Sequence, residues 1–239
     1  MLDRMTRVAV AFARAATTSD ARWCGACVDV LKVSGAGITL MGGDHDGLVC
    51  VSNERMAALE ELQFTTGEGP CRDAFAFGMP VAAPVLDAGA SARWPAFVDL
   101  ASATGIGAVF AYPLRARRSV VGVLTLYGDA SGTLTPDQHE DSLAVSAVLA
   151  ETMISLQAAA PHGDLAAGLD DAVAYRAQVH QATGMVSIRL RVSAFDALVR
   201  IRAYAFANNL SIEAVAADIV ARRLRLVDDR IQPLGEEGS

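Results

Sequence analysis

The chain has 239 residues, 20 of them basic and 27 acidic, for a net charge of −7; it is 52% hydrophobic and 20% charged. That composition excludes a globally disordered chain, and the acidic total, taken whole, argues against a nucleic-acid partner. The length allows one large domain or two small ones. The basic residues are 19 arginines and a single lysine, Lys32. Genome base composition explains that bias, yet Arg is also the side chain best suited to planar phosphates and bases, so its placement matters.

Arg4 and Arg7 precede an apolar stretch, Val8 to Ala13, that ends at Arg14 and is too short for a secretory core. The longest uncharged stretch, Leu100 to Leu114, is broken by Ser, Thr, Gly and Pro. It falls short of the roughly 18 consecutive apolar residues of a membrane span. The expectation is a cytoplasmic protein without membrane contact, its four cysteines reduced.

In chain order, Leu2, Met5, Ala9 and Phe12 recur at helical spacing. A second helix is expected over about Ala21 to Leu31. Ile38 to Met41 and Gly47 to Val51 read as paired strands across the turn Gly42-Gly-Asp-His-Asp46. A helix over Glu54 to Leu62 precedes a loop, Gly67-Glu-Gly-Pro-Cys71. Val81 to Val85 suits a short edge strand, with Pro84 limiting its pairing. Trp94 to Thr104 reads as a helix. Ala108 to Leu114 and Val120 to Tyr127 form a hairpin with Arg115-Ala-Arg-Arg118 at its turn. A long helix over Pro136 to Leu156 opens on Thr135 as N-cap. This order predicts an α+β domain, an antiparallel sheet flanked by helices.

Near Ala158 the pattern changes, and the rest reads as helix. Residues 1–172 hold 11 basic and 20 acidic side chains, a balance of −9. Residues 173–226 hold eight arginines against three acids, +5, and the last thirteen residues carry −3. An acidic domain is joined to a basic one, an asymmetry that suggests nucleic-acid binding in the second half. Three helices fit 171–226, with apolar stripes Tyr175/Val179/Ala182/Val186, Ala194/Leu198/Ile201/Ala205 and Ile212/Val215/Ile219. Ser193-Ala-Phe-Asp196 resembles a capping box, Asn208-Asn209 stops the second helix, and Ser211 caps the third. The last helix opens with Glu213 and Asp218 and has no Arg before Arg222, which suits it poorly to a DNA major groove. A folded RNA with exposed bases fits better.

The run Tyr175-Arg-Ala-Gln-Val-His-Gln-Ala-Thr-Gly-Met185, with Ala197-Leu-Val-Arg-Ile-Arg-Ala-Tyr-Ala205 and Val215-Ala-Ala-Asp-Ile-Val-Ala-Arg-Arg223, resembles the ANTAR domain. That domain is a three-helix RNA-binding module of bacterial transcription antiterminators. Residues 1–157 resemble the GAF domains found upstream of ANTAR in actinobacteria. The matching stretches include Gly67-Glu-Gly-Pro-Cys71, Arg93-Trp-Pro-Ala-Phe97 and Phe110-Ala-Tyr-Pro-Leu114. The resemblance implies a GAF sensor at 1–157, a linker at 158–170, an all-α ANTAR bundle at 171–226 and an acidic, flexible tail at 227–239. It implies a homodimer through the GAF terminal helices that binds paired stem-loops in nascent transcripts and promotes antitermination. The RNA contacts it suggests on the first ANTAR helix are Arg176, His180, Gln181, Ala182, Thr183 and Gly184, with Arg189 and Arg191 at its end. On the second helix they are Arg200, Arg202 and Tyr204, and after the third Arg222 and Arg223. A small-molecule GAF ligand is left open, as is any cofactor; no catalytic residue and no metal ligand are expected.

The cysteines carry the competing chemistry. Cys24-Gly-Ala-Cys27 lacks the partner pair a zinc site needs, so these two read as buried apolar residues. Some GAF domains reduce free methionine sulfoxide, and Cys50 and Cys71 are the residues such an enzyme would use here. A DNA-binding or protein-interaction regulator is the remaining alternative.

Overall fold

The computed structural model describes residues 4, 6, 8 and 10, then 21–42, 45–159, 176–208, 210–227 and 230–233. The expected stripe Leu2/Met5/Ala9/Phe12, most of the linker, Tyr175, Asn209 and most of the acidic tail lie outside them. The chain divides into two compact units, one of residues 1–42 and 46–173, the other of residues 174–239 together with 43–45.

The first unit is built on a five-stranded antiparallel sheet. Strands β1 (Gly35–Gly42), β2 (His45–Val51), β3 (Val81–Ala83), β4 (Ala108–Ala116) and β5 (Ser119–Gly128) lie in the order β2-β1-β5-β4-β3. Phe110 stands opposite Leu126, and Leu124 stands between Ile38 and Tyr112. Because side chains alternate along a strand, β4 and β5 feed two cores. Phe110, Tyr112, Leu114, Leu124 and Leu126 pack under α1 (Ala21–Leu31) and α6 (Pro136–Ala159). Val109, Ala111, Val123 and Tyr127 face α2 (Glu54–Thr66), α3 (Pro70–Phe77) and α5 (Pro95–Ser102). Both faces of the central strands are therefore buried, which explains why their sequence is almost continuously apolar.

Local chemistry sets the helix ends. Asn53 caps α2, accepting from Met56 N at 2.9 Å, and Gly67 ends it with φ 72°. At the start of α6, Thr135 Oγ1 accepts from Gln138 N at 3.2 Å while Gln138 Oε1 accepts from Thr135 N at 3.0 Å, a reciprocal capping box. Gln138 Nε2 also donates to Leu31 O at 3.0 Å, tying the end of α1 to α6. Arg4, helical, pairs with Asp137, Glu140 and Asp141 of α6, and Val8 is buried beside α6. Among the described residues α6 is the one helix long and apolar enough to cross a membrane by length and composition. It packs Val145, Leu149 and Met153 into the first core.

Two expectations in this unit need correction. The Gly67–Cys71 stretch is only half loop, since Pro70 and Cys71 open α3. Pro sits there as a first-turn residue, where its missing N–H costs nothing. The single helix over Trp94 to Thr104 is instead α4 (Ala88–Arg93) followed by α5. Pro95 bars Trp94 from helical backbone, and Trp94 adopts φ −136°, ψ 69°.

The second unit contains α7 (Ala177–Leu190), α8 (Ala194–Ala207) and α9 (Ile212–Val220). Its core is Val179, Ala182 and Val186 with Ala197, Ile201, Ala205, Ile212, Val215, Ala216 and Ile219. On α8 the buried stripe is Ala197/Ile201/Ala205, whereas Ala194 and Leu198 are half-exposed. The tail also differs from expectation. Leu224–Val227 (β6) and Arg230–Pro233 (β7) form an antiparallel hairpin with Ile231 buried. The acidic segment read as flexible from residue 227 thus contributes a strand.

Candidate nucleic-acid interface and sensor core

Two serines and a left-handed turn set the angles of the second unit. Ser193 accepts from Asp196 N at 3.0 Å and its hydroxyl donates to the Asp196 carboxylate at 2.7 Å. Ser211 accepts from Ala214 N at 3.1 Å. Between α7 and α8, Arg191 takes φ 56°, and Ser187 Oγ donates to Val192 O at 2.7 Å. These contacts leave arginines at the ends of helices, where orphan carbonyls gather.

The thirteen expected contact residues separate by exposure. Gln181, Gly184, Arg189, Arg191, Arg222 and Arg223 are exposed, and His180, Arg200, Arg202 and Tyr204 are half-exposed. Arg176, Ala182 and Thr183 are not available to RNA. They are 2%, 0% and 4% exposed, and Thr183 Oγ1 donates to Val179 O at 2.7 Å within its own helix. For Ala182 and Thr183 the cause is α7 geometry, since positions 179, 182, 183 and 186 share the face turned to the core; Arg176 precedes the helix as its N-cap residue. Gly184 lies on the opposite face, and a Cβ there would meet nothing within 4 Å, so it marks no tight crossing. Arg200 Nη1 donates to Asp196 O at 3.2 Å, and Arg223 pairs with Asp218 at 2.6 Å.

Sequence reasoning missed the apolar part of this surface. Phe195 and Phe206 are each 69% exposed, and Ile188 is 82% exposed. Their signal was present: none belongs to a buried stripe, so each large apolar side chain had to face outward.

In the first unit, polar groups line the helix side of the second core. Thr39 Oγ1 donates to Glu60 at 3.0 Å, deep inside. Gln63 Oε1 accepts from Cys71 N at 2.7 Å, while its Nε2 is buried without a hydrogen-bond partner among the described residues. Gly69 takes φ 119° and passes so close to Gln63 that a Cβ would fall 2.7 Å from Oε1. The Glu68 carboxylate accepts from Ala96 N and Phe97 N at 3.0 and 3.3 Å, holding the start of α5. Trp94 Nε1 donates to Asp73 at 3.0 Å, and Arg93 pairs with the same carboxylate at 2.6 Å. The Gly-Glu-Gly-Pro-Cys and Arg-Trp-Pro-Ala-Phe segments therefore interlock.

The cysteine expectations change. Cys24 is disulfide-bonded to Cys50, with Cα atoms 6.0 Å apart, so the four thiols are not all reduced. α1 packs directly on β1 beside β2, and this long-range neighbourhood is invisible in Cys-x-x-Cys spacing. Cys50 and Cys71 are not brought together as a redox pair. Cys71 is a free, buried thiol on α3, its Sγ 4.0 Å from Met41 Sδ. Burial, reinforced by Glu60, pushes that thiol above its ordinary range, away from the thiolate a nucleophile needs. Among the described residues no group of three or more His, Cys, Asp or Glu is placed to hold a metal.

A sheet-based domain with two apolar cores and a few buried polar groups, followed in the chain by a small basic helical unit, has the architecture of a two-part regulator. A GAF-domain model matches residues 22–155 and an ANTAR-domain model matches 167–220. The chain belongs to the GAF domain family and carries a C-terminal ANTAR domain: it is a signal-sensing regulator with an RNA-binding output domain. No curated protein matches the chain. Among solved structures, the GAF domain of an Acinetobacter phosphoenolpyruvate-protein phosphotransferase is 15% identical, with TM-score 0.48, covering 67% of this chain and 96% of that one. The GAF domain of a Coxiella burnetii phosphoenolpyruvate-protein phosphotransferase is 12% identical, TM-score 0.48, covering 65% and 95%. Free methionine-R-sulfoxide reductase from Neisseria meningitidis is 16% identical, TM-score 0.42, covering 55% and 74%.

Proposed function

We propose that this protein is a non-enzymatic, cytoplasmic antitermination regulator whose ANTAR domain binds stem-loops in nascent transcripts under control of the GAF domain. The observation that carries this reading is the charge placement. Residues 173–226 hold eight arginines against three acids in a chain whose net charge is −7. Arg189, Arg191 and Arg222 stand exposed at helix ends, where phosphates can reach them. His180, Gln181, Gly184 and Tyr204 complete the candidate surface.

The protein acts as a homodimer through the GAF terminal helices, since two stem-loops must be held at once. Leu143 and Ile154 on the outward side of α6 support that arrangement, being large, apolar and exposed. The Cys24–Cys50 bond and the buried Cys71 disfavour a reductase.

The deciding measurement is a gel shift with dual stem-loop transcripts. Binding should weaken at least tenfold between about 50 and 200 mM salt as arginine contacts release counterions. Wild-type protein without affinity for such RNA, in every ligand and dimer state, would defeat the proposal.

A further inference from the structure

Helix α8 has a face that folding of the second unit does not use. At 100° per residue, Phe195, Val199 and Phe206 fall within about 40° of one another around the helix. They lie opposite the buried Ala197, Ile201 and Ala205. Phe195 and Phe206 are each 69% exposed and Val199 is 43% exposed. Their helical spacing separates the two rings by about 16 Å along the axis. By helical position Arg202 borders this stripe, with its guanidinium Nε and Nη2 buried, while Arg200 lies at least about 100° away around the helix and donates to Asp196 O.

Two exposed aromatic rings on one small helical unit need an occupant, and charge selects among occupants. A second copy docking here would bring together two modules that each carry eight arginines against three acids. A purely apolar partner would leave that surplus unanswered. An anionic strand bearing flat, unpaired bases meets both the rings and the arginines.

We propose that Phe195 and Phe206 are a stacking platform for unpaired RNA bases, in a unit whose exposed arginines supply the charge that attracts the strand. This inference rests on the RNA-binding reading above. Because every base has a π-face, the platform adds affinity with little sequence preference. Discrimination between sequences then falls to polar side chains such as Gln181 and His180.

The test uses full-length protein and stem-loop RNA with an unpaired loop. Phe195→Leu and Phe206→Leu keep apolar area but remove the ring. Each should lower affinity about tenfold, while binding of the same stem closed without unpaired bases changes little. Phe206→Trp should retain affinity, and its new indole emission should be quenched by the looped RNA. The native Trp23 and Trp94 are both buried and give a constant background. The platform is overturned if both leucine variants bind like wild type while Arg222→Glu with Arg223→Glu abolishes binding; RNA recognition then stands without it. It is equally overturned if the leucine variants keep RNA affinity but lose self-association in sedimentation. Absence of RNA binding by wild type sinks the underlying reading instead.

Discussion

Among the described residues, four that are not glycine adopt a positive φ, and all are basic: Lys32 at 55°, Arg117 at 55°, Arg191 at 56° and Arg222 at 58°. Left-handed backbone costs a side-chain-bearing residue roughly 1–2 kcal/mol. Lys32, Arg191 and Arg222 each follow a helix end, where a cation meets the negative pole of the helix and offsets part of that cost. Part of the arginine excess in the second unit thus has a local, structural origin, to which the RNA contact proposed above would be an added use. The buried thiols make a contrasting case. Desolvation raises both Cys27 and Cys71. A folded value above the unfolded one means the contribution is whole below the ordinary 9.0 and lost as pH climbs through the folded value. Iodoacetamide at neutral pH should therefore leave Cys27 and Cys71 unmodified in native protein and label both in denaturant. Labelling of native Cys71 at the rate of a free thiol would restore the reductase alternative.

At the scale of elements, the helix caps were the most legible part of the sequence. Ser193, Ser211 and Thr135 were assigned as caps from spacing, and each accepts the expected backbone N–H. Ser193→Ala should cost about 1 kcal/mol, read as a lower urea midpoint for the C-terminal unit with unchanged slope. A midpoint equal to wild type would mean that the tertiary core alone fixes the start of α8. The sheet was legible too, because turn residues bound the short apolar runs of β1, β2, β4 and β5. What escaped depends on neighbours distant in sequence. Pro70 marks a helix start rather than a break because Gln63 receives the next N–H. The Cys24–Cys50 bond joins residues 26 apart. At the candidate interface, the family resemblance suggested thirteen contacts, but exposure is a tertiary property. Arg176, Ala182 and Thr183 went to the core, and Phe195 and Phe206 stayed outside it.

For the whole molecule, the acidic total hid a division of labour. The first unit carries the acidic surplus, and the arginines cluster in the second. The basic unit extends past its third helix, since β6 and β7 pair and bury Ile231. Truncation after Val227 should lower the melting temperature of that unit by several degrees, a loss of about 1–3 kcal/mol for one buried Ile and a strand. Truncation after Pro233 should leave it unchanged. Equal melting of both truncated forms would make the hairpin dispensable.

The clasp between Glu68 and α5 changes what genetics on this sensor would return. Glu68, Asp73 and Trp94 are the polar and aromatic side chains that a hunt for effector-binding positions would seize first. Each is already engaged by the protein's own helices. A screen for signal-blind alleles would recover changes at these positions in abundance. Each would report a helix that had lost its seat, not an effector that had lost its grip. Ranking such alleles by heat resistance before mapping them separates the two groups, and the heat-resistant remainder outlines where the signal enters.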